Sequence, residues 1–282
     1  MKFGLLTDIQ YADVGRLGSR YYRNSLKKLD LAVSEFERHS LQFIIQLGDL
    51  IDRNKESVSP VREVLKRIDV PIYHVLGNHD FYGSINPRQE NVFSKLEIKK
   101  RYYNFSLHNW RFVVLDGMDL STLAHPPDHP NAKQAAAMIQ DLKKRGSLNA
   151  QVWNGGIGKE QKEWLRGVLQ DALSRKQQVL LFCHFPLYPE NVHNLLNDSE
   201  MLEILDTNPA VFAWFNGHNH DGHYGFRNSV HHVTFKGMVK TSDENSFAIV
   251  ELFEDRIEIR GFGREITQSL GKGSSAIVRS KK

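Results

Sequence analysis

Five short groups of residues in this 282-residue chain could do chemistry together: Asp8 and Gln10 in TDIQ, Asp49 in GDLID, Asn78 and His79 in GNHD, His184 in CHFP, and His218 and His220 in GHNH. Their side chains offer carboxylate and amide oxygen and imidazole nitrogen, with no thiolate. Such a donor set suits manganese, iron or zinc rather than a soft-metal centre. There are more donors than one ion would use, and a pair of divalent ions bridged by a shared carboxylate is an established solution to in-line attack on phosphate esters. Asp49 is the natural bridge. Taken singly, an aspartate after a strand more often caps a turn or a helix than binds an ion, so the weight lies in the recurrence.

The elements that must position these residues are visible as apolar runs. KFGLLT (2–7), FIIQLG (43–48), PIYHVLG (71–77), RFVVLD (111–116), QVLLFCHFP (178–186) and VFAWFNGHNH (211–220) read as strands buried on both faces. Between them, NSLKKLDLAVSEFERH (24–39), SPVREVLKRI (59–68) and GKEQKEWLRGVLQDAL (158–173) carry helical periodicity. This is βαβ alternation, and in open α/β sheets the carboxyl ends of the strands converge on one crevice. The five groups stand at five such ends. The final third, HHVTFKG, SFAIVELFED and RIEIRGFG, has the short spacing of an antiparallel meander.

Bulk properties exclude several classes. With 40% hydrophobic and 25% charged residues the composition is that of an ordinary globular protein, and no run approaches the roughly 20 apolar residues of a membrane helix. MKFGLLTDIQ turns polar too soon for a signal peptide. The lone cysteine, Cys183, rules out an internal disulfide and fits a reducing compartment, so cytoplasm is expected. Because Cys183 adjoins His184 on a strand, its side chain is expected to face the core. The formal net charge of +4 is matched by Lys272, Arg279, Lys281 and Lys282 in the tail 272–282, which leaves the body formally neutral and argues against a nucleic-acid partner. The tail reads as solvated. No composition shift marks a boundary, so residues 1–282 are expected to form one domain, and nothing addresses an oligomer.

Two segments interrupt the layered pattern. Residues 11–24 are rich in glycine, arginine and tyrosine, and residues 119–158 hold HPPDHP, a short helix KQAAAMIQDLKK and WNGGIG. Loops this long in a compact domain are often lids or binding loops. Arg20, Tyr22 and Arg23 are candidates to hold phosphate or stack on a base, against a competing reading of the aromatics as packing. Phe81 and Tyr82, beside His79, are candidates for a base-stacking wall. Asn154, Gly155 and Gly156 read as a backbone anion cradle at the start of a helix. Of the remaining histidines, His39, His74, His108, His125, His129 and His193 read as surface or core, while His223, His231 and His232 could include a substrate contact.

DIQ, GDLID, GNHD, CHFP and GHNH, in this order, resemble the five motifs of the calcineurin-like metallophosphoesterases. The resemblance implies a four-layer αββα sandwich of mixed sheets with helices on both outer faces. It also implies one ion held by Asp8, Gln10, Asp49 and His220 and a second by Asp49, Asn78, His184 and His218, with His79 on the phosphate and the leaving oxygen. Gln10 stands where most of that family has histidine; an amide oxygen is a harder donor, so manganese should suit the site better than zinc. DIQYAD, RYYRNSL, WNGGIG and GHNHDG further resemble the manganese-dependent ADP-ribose/CDP-alcohol diphosphatases. That resemblance implies hydrolysis of a phosphoanhydride in a nucleotide diphosphate conjugate, a small-molecule substrate. Asp49 and His79 are the residues expected to carry catalysis, with Asp52 and Asp80 placed to orient an imidazole. The alternatives on the same machinery are a cyclic nucleotide phosphodiesterase, a phosphomonoesterase or a nuclease; outside it, a binding module that has lost catalysis.

Overall fold

The computed structural model describes residues 1–53, 55–81, 96 and 98–279. Two mixed sheets form its centre. In the first, strands β1 (Lys2–Leu6), β2 (Ile44–Gln46) and β3 (Ile72–His74) are parallel, and β10 (Ser246–Leu252), β11 (Arg256–Gly263), β12 (Gln268–Gly271) and β13 (Ile277–Val278) continue it antiparallel from the free side of β1. In the second, β5 (Trp110–Val114), β6 (Gln178–Phe182), β7 (Val211–Asn216) and β9 (Val230–Thr234) are parallel, with β4 (Tyr103–Leu107) and β8 (His223–Arg227) antiparallel at its edges. The central strands are apolar throughout because both of their faces are covered.

One face of each sheet meets the other. Phe3, Leu5, Ile45 and Val250 from the first sheet pack with Phe112, Val114, Phe182 and Phe215 from the second, and Phe3 meets Phe182 edge to face with centroids 6.0 Å apart. Outside the first sheet lie α1 (Asn24–Phe36) and α2 (Val58–Leu65). Leu29, Ala32, Val33 and Phe36 recur at helical spacing along α1 and bury one stripe against Leu6, Ile44 and Ile249. Outside the second sheet lie α4 (Lys159–Ser174) and α5 (Asp198–Asp206), whose Leu165, Leu169, Ile204 and Leu205 cover Val113, Leu181 and Trp214. The result is the expected αββα sandwich. Each fully buried leucine or phenylalanine in these layers contributes about 1.5–3 kcal/mol relative to exposure.

Several expectations need correction. HHVTFKG does not share a meander with SFAIVELFED: β9 pairs with β7 and β8 in the second sheet, while β10 joins the first. The five residues of β9 are buried on both faces, a pattern suited to a central parallel strand rather than an exposed meander. The tail exposes Ile277 and Val278 at 68% and 67%, while its backbone pairs with β12 and Arg279 N donates to Thr267 O; its residues 280–282 lie outside the described ones. Residues 119–158 hold α3 (Pro130–Lys144), with proline at its first position and His129 Nδ1 accepting from Asn131 N. Ala135 and Ile139 of α3 pack on Leu120 and Leu196. No described helix is long and apolar enough to cross a membrane.

Candidate active site

Five parallel strands, β1, β2, β3, β6 and β7, deliver the chemistry-bearing residues from their carboxyl ends to the seam between the sheets. Asp8, Asp49, Asn78, His184 and His218 lie two to four residues beyond the ends of these strands. The backbone there is unusual: Asp8, Gln10, Asp49 and His218 have φ of 48°, 43°, 54° and 65°. Left-handed conformations in residues other than glycine cost about 1–3 kcal/mol each and gather at functional sites. Close approach explains two glycines. A Cβ on Gly77 would strike the Asp49 carboxylate, and one on Gly217 would strike Thr7 Oγ1 and Asp8 Oδ2.

The side chains converge. His184 Nε2 lies 3.2 Å from Asp49 Oδ2 and His220 Nε2 3.1 Å from Asp8 Oδ1. Gln10 Nε2 donates to Asp49 Oδ2 at 2.9 Å, and His79 N donates to Asp49 Oδ1 at 2.8 Å. One donor atom from each of Asp49, His184 and His218 falls within 4.8 Å of the others, all three residues being buried. Asp49 therefore stands at the middle of the cluster.

Whether these residues fit a divalent ion can be judged from what they leave unmade. Asp8 Oδ1, Gln10 Oε1, Asn78 Oδ1 and His184 Nε2 are buried without a well-aligned hydrogen bond. Buried polar atoms are ordinarily satisfied, and four orphaned oxygen and imidazole donors in one connected cluster fit hard or borderline cations. Gln10 is oriented for this: its amide nitrogen faces the Asp49 carboxylate, so the oxygen is the atom left over.

The electrostatics follow from this crowding. Burial alone would raise the Asp49 pKa, but His184, His79 and His218 hold it well below the usual carboxylate range. His184 is disfavoured as a cation by burial, yet Asp49 and Asp8 outweigh that and push it up to about 9. His218 is driven well below the usual imidazole value by burial and by His184. His79 also opposes burial: the Asp49 and Asp52 carboxylates raise its pKa, and its Nδ1 sits 3.0 Å from Asp52 Oδ2.

Behind the cluster, Asp80 does not orient an imidazole as expected. Its carboxylate accepts from Asp49 N at 3.0 Å, Leu50 N at 2.9 Å and Gly77 N at 2.9 Å, binding the β2 and β3 loops together. Burial, then the Asp49 charge, push it up to about 7.

A cavity of about 260 Å³ opens over the cluster, lined by Gln10, Arg20, Asn78, His79, Trp153, His193, His218 and His220. Of the described residues read as substrate contacts, only Arg20 lines it. Tyr22 is core, packed with Ala12 and Val239, its hydroxyl accepting from Arg53. Arg23 is exposed and paired with Asp13. Phe81 is buried among Leu76, Leu115 and Leu165, with Arg101 over its ring; Tyr82 lies outside the described residues. Gly156 N donates to Leu120 O, Ile157 N to Asn197 Oδ1 and Gly158 N to Asp119 Oδ2. Those three amides are spent on the fold, and Asn154, Gly155 and Gly156 do not line the cavity, so the turn does not serve there as the expected anion cradle. His231 is bonded to Tyr224 and Gly271 O, and His232 packs by Tyr188, both inside the second sheet. Trp153 and His193 are the residues sequence reading missed. Trp153 stood in the WNGGIG turn, and its 38% exposure beside the buried Asn154, Gly155 and Gly156 marks it only in three dimensions.

A model of the calcineurin-like phosphoesterase family matches residues 1–222. The chain belongs to that family. Among its curated relatives within the calcineurin-like phosphoesterases, the manganese-dependent ADP-ribose/CDP-alcohol diphosphatase of Oryza sativa subsp. japonica is 34% identical, over 92% of this chain and 90% of the relative. The protein of the same name from Arabidopsis thaliana is 32% identical, over 93% and 94%. The crystal structure of a dimetal phosphatase from Danio rerio superposes with a TM-score of 0.86 at 27% identity, covering 97% of this chain and 99% of that one. A yellow lupin purple acid phosphatase, 13% identical with a TM-score of 0.58 over 94% of this chain and 51% of its own, shares the fold.

Proposed function

We propose that this calcineurin-like phosphoesterase hydrolyses the phosphoanhydride of nucleotide diphosphate conjugates such as ADP-ribose and CDP-alcohols, as one catalytic domain working in the cytoplasm. The carrying observation is the buried cluster of orphaned oxygen and imidazole donors around Asp49. The names of the curated relatives, which align over nearly the whole chain, support the substrate class. The buried lone thiol of Cys183 supports the compartment.

Two divalent ions, manganese first and iron or zinc as the other candidates, would be held by Asp8, Gln10, Asp49 and His220 and by Asp49, Asn78, His184 and His218. Such ions, when bound, supply charge neutralisation and an acidified water. The chain's own groups do the rest. Asp49, kept ionised by its histidine neighbours, is the shared ligand. Arg20, at the cavity wall, binds the phosphate that is not attacked. Asp49 and Asp52, the latter against His79 Nδ1, favour the charged imidazole, which is then placed to hydrogen-bond the phosphoryl oxygens and give a proton to the departing one.

The test is steady-state hydrolysis with manganese of ADP-ribose, CDP-choline, a 2',3'-cyclic nucleotide and p-nitrophenyl phosphate, with Asp49→Asn as control. The diphosphate conjugates should exceed the others by more than tenfold in kcat/KM, about 1.4 kcal/mol of transition-state preference. Preference for the cyclic or simple esters would overturn the substrate assignment and leave the centre standing.

A further inference from the structure

The WNGGIG turn contributes no anion cradle, yet it touches the cluster at one point. Asn154 is fully buried. Its Nδ2 donates to Asn149 O at 3.0 Å and to Val192 O at 2.8 Å. Both partners are carbonyls, which can only accept, so the amide cannot be flipped: nitrogen must face them. The oxygen then necessarily faces the remaining neighbour, His218 Nε2, at 3.0 Å. Oδ1 can only accept there, so His218 Nε2 must carry a hydrogen.

We infer that Asn154 is a positioning residue that fixes His218 as its Nε2–H tautomer, so that Nδ1 is the nitrogen left with a lone pair for a metal ion. This rests on reading His218 as a ligand. A ligating imidazole needs its other nitrogen satisfied to set both tautomer and ring angle, and the surroundings of Asn154 supply the rigidity to do it. Leu196 N donates to Gly155 O, Gly156 pairs with Leu120, and a Cβ on Gly155 would strike Gly117 O. The backbone of His218 is anchored as well, its N–H donating to Asp8 Oδ2 at 3.1 Å, and its ring packs against His184 and His193. Aspartate would keep the acceptor at His218 Nε2 but set its other oxygen against two carbonyls, a cost in stability that explains the residue type. The glycines after Asn154 let this turn lie close against Gly117, Met118 and Leu120 beyond the end of β5, which helps to hold the amide in place.

The test begins with the unmutated full chain, labelled with ¹⁵N-histidine and stripped of metal with chelator, in a long-range ¹H–¹⁵N correlation spectrum that separates the tautomers. The His218 signals are assigned by difference with His218→Gln. The expected pattern is Nε2–H; a predominant Nδ1–H pattern overturns the inference without any Asn154 variant having to fold. Asn154→Leu, checked for folding by circular dichroism, should mix the tautomers and weaken manganese binding, measured by calorimetry, about 10- to 100-fold. Asn154→Asp, which keeps an acceptor at Nε2, should retain the Nε2–H tautomer. Unchanged tautomer and affinity in Asn154→Leu would also overturn it. Failure of the unmutated chain to bind manganese at all would instead sink the metal reading, a result distinct from a wrong tautomer.

Discussion

His79 is the residue whose chemistry depends most on its neighbour. Its charged form is opposed by burial and restored by Asp49 and Asp52, and an imidazole that donates a proton loses activity as pH rises through its pKa. His79→Ala should lower kcat by about 10²- to 10⁴-fold, the usual range for general-acid assistance. Asp52→Asn removes one of the carboxylates that raise the His79 pKa, so the alkaline limb of the pH–rate profile should move to lower pH. A profile whose alkaline limb stays in place, or moves up, would show that His79 is not the titrating acid. The oxygen of Gln10 works at the same scale: with its amide nitrogen committed to Asp49, it presents a harder donor than the histidine common in the family, consistent with manganese over zinc.

At the scale of elements, the centre is a meeting of strand ends, and its tolerance is set by backbone clearance rather than by the ligands. The β7 end reaches β1 only because Gly217 has no Cβ to collide with Thr7 and Asp8. Gly217→Ala should therefore force the two ends apart. We expect loss of manganese binding by calorimetry while the far-ultraviolet circular dichroism is retained, because the sheet seam built on Phe3, Phe112 and Phe182 lies deeper and is untouched. Undiminished metal binding in this variant would show that the loops relax at little cost. The same logic makes Asp80 a structural tie: its carboxylate joins the β2 and β3 loops through their amides.

For the whole molecule, an ion bound only by the folded chain adds about 2.7 kcal/mol of stability at a hundred times Kd. Manganese should raise Tm, and Asp49→Asn should abolish the rise. The gain depends on pH with a definite sign. His184, pushed up to about 9 by Asp49 and Asp8 against burial, must give up its proton to bind an ion. At fixed manganese the Tm gain should thus grow from pH 6.5 to 8.5, affinity rising by up to about tenfold per pH unit for each proton displaced. Calorimetric scans across that range check it; a gain that stays flat or shrinks with pH would mean that the metal displaces no proton from His184.

The sequence by itself determined the layers and the candidate donors. Runs such as QVLLFCHFP and VFAWFNGHNH are apolar because both faces of their strands are covered, and polar residues at their ends have few places to point except the crevice. It could not decide which sheet each late strand joins, since HHVTFKG has the same short spacing whether it extends a meander or lies parallel to β7. Nor could it separate core aromatics from a substrate wall: Tyr22 and Phe81 carry ring types fit for either, and only packing assigns them to the interior. WNGGIG showed glycines and an amide but not that the N–H groups of Gly156, Ile157 and Gly158 are spent on Leu120, Asn197 and Asp119. Hydrogen-bond partners distant in sequence decide those roles, and their placement is a property of the folded chain.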